Sequence, residues 1–193
     1  RQLGDFPHHV GYLQADPSRV EYWRAKLSAL GPGLKIGISW RGGLKLSRAH
    51  LRSIPLDQLL PVLHQEGVHF INLQYGPCSE EMNSIQRQAG ISIHHWAEAH
   101  TDFDEMAALI VALDIVVSVC TTVIHLAGAL GRPTWILVPA VPEWRYLNSC
   151  NHLPWYPSVK LFRQETLGNW NDVIQEIADN LKTATRGDAE RHN

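Results

Sequence analysis

The chain has 193 residues, 45% of them hydrophobic and 19% charged, which suits one globular domain with a sizeable core of its own. Seventeen Lys plus Arg against nineteen Asp plus Glu leave a formal charge of -2, and no basic run forms a stripe able to track a phosphate backbone, so nucleic acid is not an expected partner. The most apolar stretch, 106–120, is interrupted by Asp114 and falls short of the roughly 18 to 20 residues of a membrane span.

Asp16 followed by Pro17 reads as a helix start, and the apolar residues Val20, Trp23, Leu27 and Leu30 recur at spacings of three and four, making one sticky face over 19–30. Gly31, Pro32 and Gly33 then end the helix. Short apolar runs alternate with helical patterns from there: strand 34–40, helix 56–64, strand 68–73, helix 79–89, strand 91–94, helix 102–113, strand 115–119, helix 122–130, strand 134–138, strand 159–162 and helix 169–182. This rhythm predicts right-handed βαβ crossovers and a Rossmann-like α/β fold: a doubly wound, mostly parallel sheet of six strands with helices on both faces. The unbroken apolar run 115–119 suits a central strand covered on both sides. Residues 1–33 are expected as a lead-in segment and helix packed on the domain, 34–184 as the domain itself, and 185–193 as a disordered tail.

Open parallel sheets bind ligands beyond the carboxyl ends of their strands, where strand order reverses, so the loops after the first and fourth strands are the places to look. After the fourth strand, Cys120, Thr121 and Thr122 open a helix that Gly131 closes. The free amides and positive dipole end of such a helix favour a phosphate, and the Thr hydroxyls add donors. Thr121 capping its own helix would look the same in sequence. One turn further on, His125 suits a neutral contact to a ribose or phosphate oxygen, and equally suits packing against a neighbouring loop. After the first strand, Arg41 supplies a cation beside Gly42 and Gly43, which permit close backbone approach or simply make a turn. Lys45, Arg48 and Arg52 follow in a polar loop.

The dinucleotide pattern GxGxxG is missing, and the second strand ends in Gln74-Tyr75-Gly76 with no acid to hold a ribose, which argues against an NAD oxidoreductase. Between the last two strands lies an aromatic loop that includes Glu143, Trp144, Arg145 and Tyr146, then Trp155 and Tyr156. With Gln74 and Tyr75 it offers contacts to a base or sugar, or packing under the loop. His94, His95 and His100 lack the spacing of a metal site, so no metal and no bound cofactor are expected. Cys78, Cys120 and Cys150 are odd in number and show no CxxC spacing. With no legible signal peptide, they read as reduced thiols of a cytoplasmic protein.

The run 114–133, the Pro142-Glu143-Trp144-Arg145-Tyr146 segment and the stretch 154–164 together resemble the C-terminal region of bacterial tetratricopeptide-repeat proteins that carry a glycosyltransferase domain. The Thr-x-x-His-Leu-Ala-Gly-Ala-Leu-Gly segment from Thr122 is similar to the heptosyltransferase family. More distantly it is similar to O-linked N-acetylglucosaminyltransferases, whose Thr-Thr pair would fall on Thr121 and Thr122. The segments 12–17 and 37–43 extend the likeness over nearly the whole chain.

The resemblance implies one half of a GT-B fold that holds the diphosphate of a nucleotide sugar for metal-independent transfer. Its implied partners are the donor, an acceptor, tetratricopeptide repeats and an N-terminal GT-B half, all lying outside these residues. That half would supply the general base, so the isolated chain is expected to be inactive. His125 stands where heptosyltransferases also have histidine, which implies a donor other than UDP-N-acetylglucosamine. The competing expectation is a non-catalytic nucleotide- or protein-binding module of a repeat-containing scaffold.

Overall fold

Asp16 caps the first helix as its position predicts: its carboxylate accepts from the amides of Ser18 (2.8 Å) and Arg19 (3.1 Å). The computed structural model describes residues 9–43, 48–147 and 150–191, and α1 covers Pro17–Ser28. Its buried stripe of Val20, Trp23 and Leu27 is the one the three-and-four spacing predicts.

Six strands run parallel: β1 (Leu34–Ser39), β2 (Val68–Asn72), β3 (Ile93–His94), β4 (Ile115–Val119), β5 (Thr134–Val138) and β7 (Tyr156–Arg163). A seventh, β6 (His152–Leu153), pairs antiparallel with β7 and corrects the expected six. The missed strand is two residues long, too short to show a period. It turns through Pro154-Trp155 into β7, which therefore starts three residues before the predicted 159.

The strand order is β3-β2-β1-β4-β5-β7-β6, so the chain reverses direction across the sheet between β1 and β4. Those two strands are direct neighbours, with Ser39 beside Ser118 at their carboxyl ends. Side chains alternate between two cores. Ile36, Ile38, Phe70, Val117 and Leu137 pack against α6 (Asn171–Arg191) and α2 (Leu60–Leu63). Ile71, Leu73 and Val116 face α1 and α4 (Phe103–Ala112). Further along the second face, Ile136 and Val138 meet α5 (Thr122–Ala129), while α3 (Ser79–Ala89) covers the first face through Ile85.

Two expectations need correction. The predicted helix 56–64 is a 3-10 turn, Leu56–Leu59, followed by a single α turn, because Pro61 has no amide to donate and its ring crowds the preceding turn. The expected tail 185–193 is not a disordered extension up to Arg191: α6 continues through it. Once a helix is nucleated on a packed face, each further residue adds a hydrogen bond without a new nucleus.

The lead-in segment positions α5. Tyr12 and Leu13 donate their amides to the Ala129 carbonyl (2.8 and 3.0 Å), satisfying an orphan acceptor at the helix end. Gly131 follows at φ 69, a left-handed position, and a Cβ there would lie 1.6 Å from the Val10 carbonyl oxygen.

Candidate functional site

Above the β1/β4 junction lies a cleft of about 560 Å³. Of the residues singled out in the sequence, Arg41, Gly43, Arg52, Gln74, Tyr75, His100, Cys120, Thr121, Thr122, His125, Arg145 and Tyr146 line it. Gly42, Glu143 and Trp144 stand behind or beside the wall rather than on it.

The start of α5 forms the cleft floor. Thr121 sits at the N-cap with extended backbone (φ -132, ψ 177), yet its side chain makes no capping hydrogen bond. Its hydroxyl is instead 3.2 Å from that of Ser118. Self-capping, one of the two sequence readings, is therefore not what this hydroxyl does. The first-turn amides of α5 lack a side-chain acceptor from the cap and lie beside the exposed Thr122. Cys120 is structural: it is buried, its thiol lies against the Leu137 carbonyl, and burial pushes its pKa up to about 12.

The two glycines after β1 differ: Gly43 lines the cleft with nothing within 4 Å of an added Cβ, whereas Gly42 lies against a side chain. A Cβ on Gly42 would stand 2.8 Å from Nε and 2.9 Å from Cγ of Arg52, so this glycine makes room for an arginine. The loop closes on itself: Ile54 donates its amide to the Trp40 carbonyl (2.9 Å), Gly42 donates to Ser53 Oγ (3.0 Å), and Ser53 Oγ donates to the Ala49 carbonyl (2.6 Å). This closure carries Arg52 to the cleft, where Nη1 donates to the Cys120 carbonyl (3.0 Å), one residue before the Thr121 cap.

Arg41 points the other way. Its Nη2 donates to the Pro77 carbonyl (2.6 Å) and pairs with Glu81 (3.1 Å). The cation beside α5 is thus Arg52 rather than Arg41. Gln74 is spent on the backbone: Oε1 accepts from Trp40 N (3.0 Å), Arg41 N (2.8 Å) and Ser39 Oγ (3.2 Å), while Nε2 donates to the Tyr75 carbonyl (3.0 Å). It shapes the turn above β1 instead of offering an edge to a base. Tyr75 is exposed beside it.

On the far side of α5, His125 lies with its ring centroid 5.8 Å from Tyr156 and 6.2 Å from Tyr146. Burial lowers its pKa, and the Arg145 charge lowers it further, so the imidazole is neutral at neutral pH. The aromatic loop divides. Tyr146 and Tyr156 are buried in the core beneath it, as the packing reading had it, whereas Trp144 is 79% exposed, with Trp155 edge-on at 6.2 Å.

The other wall is made of Thr101, Asp102, Phe103 and Met106, which were not among the sequence candidates, and His100, which was weighed only as a metal ligand. The loop after β3 and the first turn of α4 bear it, the loop folded back by the 3-10 turn Ala97–His100 and Asp102 accepting from the Glu105 amide (2.8 Å) to start α4. The signal was the rule already applied to β1 and β4, extended to a third strand end. Among the described residues no three His, Cys, Asp or Glu gather where they could hold a metal ion, and no helix is long and apolar enough to cross a membrane.

The fold is a Rossmann-like, doubly wound α/β domain, with the uncapped start of α5 at its switch point, where folds of this class take their ligands. Residues 57–138, from the 3-10 turn before α2 through β5, match the model of Glycosyltransferase family 9 (heptosyltransferase). The chain is 40% identical over 182 residues to Protein FlbA of Caulobacter vibrioides; the match takes in 92% of this chain and 30% of that protein, so the chain spans less than a third of this curated relative. Among solved structures it is similar to the glycosyl transferase family 9 protein from Veillonella parvula (TM-score 0.65, 11% identity, 92% of this chain and 55% of that one). It is also similar to the E. coli ADP-heptose lps heptosyltransferase II (TM-score 0.59, 18% identity, 90% and 54%). At these identities the likeness is one of fold: an α/β, mostly parallel domain matching about half of a GT-B glycosyltransferase.

Proposed function

We propose that this chain is the donor-binding half of a glycosyltransferase, holding the diphosphate of a nucleotide sugar at the start of α5 for transfer without a metal ion. The observation that carries this reading is the uncapped first turn of α5 beside Thr122, with the Arg52 guanidinium one residue away at the Cys120 carbonyl. Amide dipoles and an arginine aimed at one spot supply the counter-charge that a departing diphosphate needs. A few charge-assisted hydrogen bonds, each worth about 1.5–3 kcal/mol, are enough for micromolar to millimolar binding once association costs are subtracted. Neutral His125 would face the ribose or a phosphate oxygen.

The family match over 57–138 supports glycosyl transfer as the class of reaction. In this reading the remaining GT-B half supplies the acceptor contacts and the base, tetratricopeptide repeats accompany it in the longer protein, and the isolated chain binds donor without turning it over. The protein works in the cytoplasm.

The test is a thermal-shift panel of UDP, GDP, ADP and CMP with and without their sugars, with and without a chelator, followed by Thr122→Val on any hit. Stabilisation that survives chelation and weakens several-fold in the variant supports the reading. An unchanged affinity in Thr122→Val removes the α5 site from it. A full-length protein that binds donor but never transfers its sugar would favour a non-catalytic scaffold.

A further inference from the structure

Two arginines reach the cleft from opposite sides of α5, and one carboxylate holds both. Arg52 comes from the loop after β1, and Arg145 from the 3-10 turn Trp144–Tyr146 after β5. Between them stands Glu143, with Oε1 3.4 Å from Arg52 Nη1 and Oε2 2.9 Å from Arg145 Nη2. The carboxylate therefore links two loops that lie 91 residues apart in sequence.

The two halves of this bridge are unequal. The Arg145 contact has the length of a charge-assisted hydrogen bond, while 3.4 Å to Arg52 is looser than such bonds run. Arg52 does not depend on that contact for its place, since its stem lies over Gly42 and Nη1 donates to the Cys120 carbonyl. Glu143 is 36% exposed at its side chain, so a displaced carboxylate has water to turn to. Arg145 is 38% exposed, its guanidinium 5.9 Å from the ring centre of the exposed Trp144. A dianionic group seated at the α5 start would meet both arginines and compete with Glu143 for them.

We propose that Glu143 is a displaceable internal counterion, which pairs with the charges of Arg52 and Arg145 until an incoming diphosphate takes both over. This deepens the reading of the cleft as a diphosphate site and rests on it. Glu143 is then a positioning residue whose charge opposes binding. It keeps two cations of the cleft matched by an acid of the same protein, and a ligand must bring enough negative charge, spread over enough oxygens, to replace it. Pyrophosphate and nucleoside diphosphates meet that condition.

The experiment titrates the 193-residue chain calorimetrically with pyrophosphate and with UDP, GDP and ADP, in the parent chain and in Glu143→Gln, Arg145→Gln and the double variant. Glutamine keeps the shape and removes the charge. Glu143→Gln is expected to bind pyrophosphate roughly tenfold tighter, because the arginines no longer have to be taken from a carboxylate. In the Arg145→Gln background the same change should gain twofold or less, since one of the two cations is gone.

A Glu143→Gln chain that binds pyrophosphate no tighter, or more weakly, overturns the counterion role while leaving the diphosphate site standing. An equal gain in both backgrounds also overturns it, showing plain repulsion rather than displacement. If neither the parent nor Glu143→Gln takes up any of the four ligands while both unfold cooperatively on heating, the diphosphate reading itself fails.

Discussion

Trp23 and Glu105, 82 residues apart in sequence, are joined in the second core: the indole Nε1 donates to the Glu105 carboxylate at 3.0 Å. Arg19 pairs with the same carboxylate from the solvent side. Through these contacts α1 is fixed to α4, and α4 begins at the cleft wall. Trp23 is fully buried, so Trp23→Ala should cost about 3–5 kcal/mol from cavity and lost transfer alone. Arg19→Gln takes a half-exposed partner from a mostly buried carboxylate that Trp23 still hydrogen-bonds, and should cost less, about 1–3 kcal/mol. Urea midpoints of the two variants check the order. A Trp23→Ala chain as stable as the parent would make α1 an appendage rather than part of the domain.

Gly128 and Tyr156 set how closely α5 approaches the sheet. A Cβ on Gly128 would come within 2.5 Å of Tyr156 Cγ and 2.9 Å of its Cβ. Alanine gains about 1 kcal/mol of helix propensity over glycine, but overpacking costs about 1–3 kcal/mol. Because the atoms met are Cβ and Cγ of a buried ring rather than a flexible chain end, the cost falls in the upper half of that range, and Gly128→Ala is expected to lose roughly 1–2 kcal/mol and to weaken pyrophosphate binding, as α5 tilts off the sheet. Adding Tyr156→Leu should restore part of the stability. A Gly128→Ala chain that melts at or above the parent's temperature would show that the helix moves aside without strain.

The centre of the sheet was legible in sequence because β4 and β5 are covered on both faces and read as short apolar runs, and their bounds are the predicted ones. The α5 site was legible for a different reason: strand order and helix polarity are topological, and they place Thr121 and Thr122 at the switch point whatever the side chains do. Side-chain aim was not legible. Nothing in the spacing of Arg41 and Arg52 tells that the first turns towards Glu81 and the second crosses Gly42 to Cys120, because loop closure through Trp40, Ser53 and Ile54 decides it. Nor could two-residue β6 or the 3-10 turn Ala97–His100 show a period.

Three histidines make stability depend on pH in one direction. Burial is the first cause of the lowered pKa of His94, His100 and His125, so each stays neutral in the folded chain below the ordinary value of 6.5. As pH falls through about 6.5 the unfolded chain takes up protons that the folded chain refuses. The stabilisation is fully present above that pH and is lost below it. Urea midpoints are expected to drop between pH 7.5 and 5.5, and His125→Asn should flatten the drop by that residue's share. A variant with an undiminished slope would show that His125 has no part in it.

Gly42 separates two readings of the loop after β1. If the glycine served a ligand's backbone contact, alanine would block the ligand; if it serves Arg52, alanine displaces the arginine, whose Nε and Cγ lie 2.8 and 2.9 Å from the added carbon. The φ of Gly42 is not left-handed, so alanine meets no backbone strain there, and the nearest atoms it strikes belong to the Arg52 side chain, with the Ala49 Cα next at 3.1 Å. Gly42→Ala should consequently change stability by about 1 kcal/mol or less and weaken pyrophosphate binding several-fold. The discriminating comparison is Gly42→Ala combined with Arg52→Gln. When the glycine acts through the arginine, the double variant binds no worse than Arg52→Gln alone, because the charge that Gly42 makes room for is already gone. Additive losses would mean that the backbone at Gly42 meets the ligand itself.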